Sequence, residues 1–186
     1  MTDPVVPTDY TQATRRPNYF DGRLITAADL RQDQEYHRGM RYLQNRALGW
    51  GIVEGLDVSA TAAGITISTG FAIDVLGREL VLAEPQFLAA DDPFLLACPD
   101  PVVTATWAEV PDGQTPGAPG PDGSTDVSGG TFTTWLEQPL IRITPANSVQ
   151  PPAIVLARIR RYKKKPPTVE ATGRNMFRWR GRVSIR

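Results

Sequence analysis

The sequence predicts a mainly β protein with one long helix near its N-terminus, an α+β fold. Three observations say so. A helical apolar spacing occurs once, between Tyr36 and Ala47. From Ile52 onward the pattern changes to period two. Gly, Pro and Asp then punctuate the chain at strand-like intervals.

Residues 1–17 carry three prolines and little apolar periodicity, so they read as an extended N-terminal arm. Asn18 to Gly22 reads as a turn, closed by Asp21-Gly22. Thr26 is placed to cap the helix that follows, and Asp29, three residues on, puts an acid in its first turn, a relative of the capping box. The helix is predicted from about Ala27 to Leu48, where Gly49-Trp50-Gly51 stops it. Tyr36, Met40, Leu43 and Ala47 recur at spacings of four, three and four and form one stripe. Carrying that spacing back gives Asp33 and Asp29, so the first half of the helix lacks the stripe. Two readings follow. Either the second half packs on its own domain, or Tyr36, Met40, Leu43 and Ala47 form an oligomer interface with copies of the chain.

Short strands are predicted at Ile52–Val58, Gly64–Ser68, Phe71–Asp74 and Arg78–Leu82, with Asp74 to Gly77 as a hairpin connection. Val102–Val110 follows, with Val103, Ala105 and Trp107 on one face and Thr104 and Thr106 on the other. Residues 111–130 alternate Pro, Gly, Asp, Ser and Thr, offer almost nothing to bury, and are expected to be a flexible loop. Thr131–Leu136, Leu140–Thr144 and Ala153–Ile159 resume the strand pattern. The boundaries expected are an arm at 1–17, a helix plus β-domain at 18–160, and a basic linker with a C-terminal strand arm at 161–186.

The formal net charge of zero conceals an asymmetry. From Arg158 to Arg186 there are eleven Lys/Arg and one acid, Glu170, so the remainder of the chain is equally acidic. Opposed halves of this kind attract within a molecule or between neighbours. In the last ten residues Phe177, Trp179, Gly181, Val183 and Ile185 share one parity, and Arg178, Arg180, Arg182, Ser184 and Arg186 the other. As a strand, the segment would have one apolar and one arginine face. It either folds back on its own sheet or reaches a neighbour. The second alternative makes Phe177, Arg178, Trp179, Arg180, Arg182, Val183 and Ile185 a partner-binding arm.

The residues offer little chemistry. Cys98 is the only cysteine and His37 the only histidine, which leaves no intrachain disulfide and no cysteine-based metal site; His37 lacks partners at ligand spacing. No phosphate loop, dinucleotide glycine fingerprint or nucleophile elbow is present. Asp91 and Asp92 are adjacent and point apart, and Lys163 to Lys165 come without a nucleic-acid-binding fold. The expectation is a protein without catalytic residues, metal, cofactor or nucleic-acid partner. No run approaches the ~20 apolar residues of a membrane span and no signal peptide is apparent, so membrane insertion is not expected.

Three blocks carry a resemblance. The first is Asn18-Tyr19-Phe20-Asp21-Gly22-Arg23-Leu24-Ile25-Thr26-Ala27-Ala28-Asp29-Leu30, continued by Gln34-Glu35-Tyr36-His37, Asn45-Arg46 and Gly49 to Leu56. The second is Gly70 to Asp74 with Gly77 to Val81, and the third Ala153 to Ile159. Together they resemble blocks of structural proteins associated with the baseplate and tail fibres of phage-tail-like extracellular contractile injection systems. The resemblance implies a structural component at the baseplate, a fibre attachment or another end of the particle. It implies a homotrimer or other homo-oligomer bound to baseplate, fibre or tube- and sheath-end proteins, made in the cytoplasm and built into the particle. The alternative is a glycan- or envelope-binding module using exposed aromatics such as Trp107 or Trp135.

Overall fold

The computed structural model describes residues 15–115, 131–160, 167–170 and 174–179. Helix α1 spans Ala27–Leu48 and a short helix α2 spans Pro93–Ala97. The strands are β1 (Gly49–Gly55), β2 (Val58–Ala60), β3 (Gly64–Ile67), β4 (Gly70–Ile73), β5 (Glu79–Leu82), β6 (Gln86–Ala89), β7 (Pro101–Thr115), β8 (Thr131–Pro145), β9 (Ile154–Arg160), β10 (Thr168–Glu170) and β11 (Arg178–Trp179). They form three sheets, ordered β11-β1-β4-β5, β10-β9-β7-β8 and β2-β3-β6. The fold is mainly β with one long helix, α+β as predicted.

α1 has the predicted ends. Thr26 is extended (φ −104°, ψ 164°), its hydroxyl accepts from Asp29 N–H at 3.3 Å, and the Asp29 carboxylate accepts from Thr26 N–H at 3.0 Å. That is a complete capping box with Asp as the acid. At the other end Gly49 takes φ 151°, returns its N–H to the Asn45 carbonyl, and starts β1 without an intervening loop.

The predicted strand Ile52–Val58 is two strands in different sheets. A register shift between Ile52 and Glu54 bends β1, and Gly55 and Leu56 both take positive φ, 60° and 53°. Gly55 lies so close to β4 that a Cβ there would meet the Thr69 carbonyl oxygen at 2.2 Å. The chain therefore leaves the first sheet and enters the third. β6 and α2 were not foreseen. α2 starts where the Asp92 carboxylate accepts from Leu95 N–H at 3.1 Å, so Asp92 caps a helix.

The largest departure concerns the expected loop at 111–130. Pro111 to Thr115 continue β7 and pair with Trp135 to Thr131, and Thr131–Leu136 and Leu140–Thr144 are one 15-residue strand, β8. A ladder is held by backbone groups, so polar side chains do not prevent it, and composition alone could not reveal it. Residues 116–130 lie outside the described residues. The expected linker is interrupted as well. Thr168–Glu170 pair with Arg160–Arg158 of β9, and an Arg160–Glu170 ion pair at 2.9 Å reinforces the register.

One continuous core lies between the sheets, built on Ile52, Ile65, Leu80, Val103, Ile154 and Leu156. Trp50 packs against it at the helix exit, as its position in Gly49-Trp50-Gly51 suggests.

Candidate assembly surface

α1 is attached to the body through its second half, and by polar groups. Among its residues only Tyr42 is buried. Arg38 Nη1 lies 2.7 Å from Glu109 and 3.9 Å from Glu137, and Arg41 Nε lies 2.9 Å from Glu79. Asn45 Nδ2 donates to the Gly77 carbonyl at 2.9 Å and to Glu79 Oε1 at 2.7 Å. Arg38, Tyr42 and Asn45 follow helical spacing and form the docked face. Burial holds the Tyr42 hydroxyl above the usual tyrosine range, and Glu137 and Glu79 push it further up against the pull of Arg38 and Arg41.

The seat for this face is the β4–β5 turn. Asp74 is fully buried; its carboxylate accepts from Leu76 N–H at 2.8 Å, Arg78 N–H at 3.0 Å and Arg78 Nε at 2.7 Å. The Arg78 guanidinium, itself buried, lies over the Trp107 ring at 4.9 Å. Gly77 at φ 86° lets the turn touch the helix backbone, since a Cβ there would meet the Tyr42 carbonyl oxygen at 2.2 Å. Asp74 to Gly77, expected only as a hairpin connection, thus carries a buried ion pair that the expectation did not include. An Asp four residues before an Arg, around a glycine turn and between apolar strands, is the signal that could have found it.

The predicted stripe lies elsewhere on the helix. At ~100° per residue, Tyr36, Met40, Leu43 and Ala47 face roughly opposite to Arg38, Tyr42 and Asn45. Met40 is 41% exposed, Ala47 is exposed, and Tyr36 and Leu43 are half-buried. The stripe therefore does not serve as the face that packs on the domain. Ahead of it the apolar residues of the 18–30 block are also turned to solvent: Tyr19, Phe20, Ile25 and Leu30 are exposed and Leu24 reaches 84%. This segment is held in place nonetheless. Arg23 forms an ion pair with Asp29 and donates to the Asn18 carbonyl, folding the turn onto the start of the helix. Hydrogen bonds from Thr26, and then the charge of Arg23, hold the Asp29 carboxyl below its usual range.

Of the two readings of the C-terminal segment, its described residues 174–179 show pairing within their own chain. Asn175 accepts from Ile52 N–H at 2.7 Å through its carbonyl, while its own N–H donates to the Val155 carbonyl at 2.9 Å and its side-chain oxygen accepts from Val155 N–H at 2.7 Å. Phe177 N–H donates to the Ile52 carbonyl at 2.9 Å, and Arg178 and Trp179 pair with Trp50 and Gly49. Arg174 closes the staple, donating to Asp57 at 2.7 Å and to the Gly55 carbonyl. Residues 174–179 thus cover the outer edge of β1 and tie it to β9 in their own chain. Phe177, Arg178 and Trp179 therefore lie along β1 of their own chain. Arg180, Arg182, Val183 and Ile185 lie outside the described residues.

His37 is exposed at the helix surface, 3.8 Å from Asp33 and edge-on to Tyr36. No group of three or more His, Cys, Asp or Glu able to hold a metal occurs among the described residues. No helix among them is long and apolar enough to cross a membrane. Trp107, one of two aromatics considered for glycan binding, is only 9% exposed and covered by Arg78, so it cannot stack on a sugar. Trp135 is 51% exposed.

No family model matches the chain, and no curated protein matches it. Among solved structures the chain is similar to one titled "Crystal structure of TssK", with a TM-score of 0.39 and 13% sequence identity, over 90% of this chain and 41% of that one. The chain therefore spans less than half the length of that neighbour.

Proposed function

We propose that this chain is a non-enzymatic structural or adaptor component of a contractile injection system or related phage-tail-like particle. Its station is the baseplate, a fibre attachment or another end of the particle, and it assembles with copies of itself and neighbouring particle proteins through α1. The observation that carries this reading is the outward placement of Tyr19, Phe20, Leu24, Ile25, Leu30 and Met40. All six belong to the helix and the turn before it, within the stretch whose sequence resembles that of such proteins. Several large apolar side chains left in solvent on one segment mark contacts with other chains. Docking the opposite face by ion pairs and amide bonds leaves that surface free for a partner.

Light scattering after size-exclusion chromatography tests the reading. The chain is expected to elute as a homo-oligomer, and Met40→Asp with Leu43→Asp to bring it to the monomer mass, since each buried Leu or Met side chain contributes about 1.5–3 kcal/mol. A double variant that keeps the native mass would place the interface elsewhere.

A further inference from the structure

The outer part of the β7–β8 hairpin has three features that together specify a ligand. The first is an open edge. β8 is the last strand of its sheet, and β9 pairs only with Val102 to Ala105 of β7, so the hairpin beyond that point is a two-stranded ribbon. Such a ribbon is marginal by itself in water.

The second feature is where the prolines fall. Directly opposed residues of an antiparallel ladder alternate between pairs that exchange hydrogen bonds and pairs whose backbone groups point outward. Three opposed pairs contain proline: Pro101 with Pro145, Trp107 with Pro139 and Pro111 with Trp135. Proline lacks the N–H that an exchanging pair needs, so all three belong to the outward-pointing class, and all share one parity. The odd-numbered residues of β8 therefore aim their backbone groups at the free edge. At the root, Pro139 and Pro145 remove the N–H groups from that edge, which discourages strand addition. From Thr131 to Glu137 no proline intervenes, and the edge can accept a strand.

The third feature is that the two faces of the ribbon differ. Glu109 opposes Glu137, beside Trp135, on one face; Val110 opposes Leu136 on the other, with Phe132 four residues along the strand from Leu136. Val110, Phe132, Trp135 and Leu136 are all exposed. The two opposed carboxylates share one guanidinium, that of Arg38, at 2.7 and 3.9 Å, so this face keeps an excess of negative charge. A strand completing the ribbon needs cations on one face and apolar side chains on the other.

One segment of the chain has that pattern: residues 180–186, with Arg180, Arg182 and Arg186 at one parity and Val183 and Ile185 at the other. We propose that this segment of a second copy adds to β8 along Thr131–Glu137, its arginines over Glu109, Glu137 and Trp135, its Val183 and Ile185 beside Leu136 and Phe132. The proposal rests on the homo-oligomeric reading above. A second copy is required because Arg180 follows directly on Trp179, which sits on β1 at the sheet edge opposite β5. Crossing back over β1 and β4 to β5 takes up about 14 Å at ~4.8 Å per strand. The seven residues extend at most about 25 Å, which leaves too few to pair with their own β8.

Cysteine pairing in the full-length protein tests this. One population carries Thr134→Cys or Leu136→Cys; a second, tagged to differ in mass, carries Val183→Cys. After mixing and mild oxidation, disulfides joining the two populations are expected, and are expected to be lost when Arg180→Glu and Arg182→Glu are added to the second. The unsubstituted chain, with only its buried Cys98, gives the background. If light scattering shows an oligomer but no link forms between the populations, strand addition is overturned while the assembly reading stands. If both cysteines placed on one chain give only an internal bond, the occupant is the chain's own segment and the proposal is wrong. A monomeric chain with no link would overturn the assembly reading and this proposal together.

Discussion

The two halves of α1 are continuous in sequence and opposite in use. The second half is fixed to the body by Arg38, Arg41, Tyr42 and Asn45, against Glu79, Glu109, Glu137 and the Gly77 carbonyl. The first half touches the body with no buried residue, yet it is capped and pinned at its start by Thr26, Asp29 and Arg23. A helix that only needed to cover its own core would turn Tyr36, Met40 and Leu43 inward and leave its charges in water. This one docks by charge and amide groups around Tyr42, leaving Met40 exposed and Tyr36 and Leu43 only half-buried. The difference teaches that burial in the monomer and apolar character are separate quantities here.

Breaking the seat should have the largest effect. Asp74→Ala leaves Arg78 buried without its carboxylate, and removing one partner of such a pair costs about 3–5 kcal/mol. Urea unfolding should show that loss, and the docked half of α1 should lose protection with it. Met40→Asp should leave the midpoint nearly unchanged in the monomer, because Met40 is 41% exposed.

A smaller effect should appear at the free half. Thr26→Ala removes the cap and should cost about 1 kcal/mol of helix stability, read as reduced far-ultraviolet helicity. The Asp29 carboxyl is held low by Thr26 and Arg23, so its contribution is present above the usual carboxylate range and is lost as pH falls through the lowered value. Acidification should therefore fray the first turn in the native chain and change the Thr26→Ala variant less.

The smallest effect should come at Tyr42. Its hydroxyl is buried and has no hydrogen-bond partner among the described residues. Tyr42→Phe should be neutral or stabilising by up to about 1 kcal/mol, because no made bond is lost. Its raised pKa means that the favourable contribution of the neutral phenol is intact below the ordinary tyrosine range and lost as pH climbs through the folded value. Alkaline unfolding should be later in the Phe variant.

What could be read in advance follows the same division. Both ends of α1 were legible because the cap, the first-turn acid and the closing glycine act locally, within four residues. The stripe was legible as a pattern, but which face would dock was not. The docking contacts join Asn45 to Glu79 and Arg38 to Glu109, positions brought together only by the tertiary fold. The ladder of Pro111–Thr115 was missed because polar composition says nothing about backbone pairing, whereas β11 falls within the strand read from residues 177–186, whose pattern left open which edge it would join. The buried Asp74–Arg78 pair was present in the sequence as an i, i+4 pair across a glycine turn, yet only burial turns such a pair into a fixed seat.

The most direct test of the claim that the outward surface of α1 is an assembly face is hydrogen exchange along the helix at two protein concentrations. The account predicts that amides from Ala27 to His37 become more protected as concentration rises, while those from Arg38 to Leu48, already fixed to the body, change little. Protection of the first half that does not depend on concentration, in a chain that remains oligomeric, would contradict it.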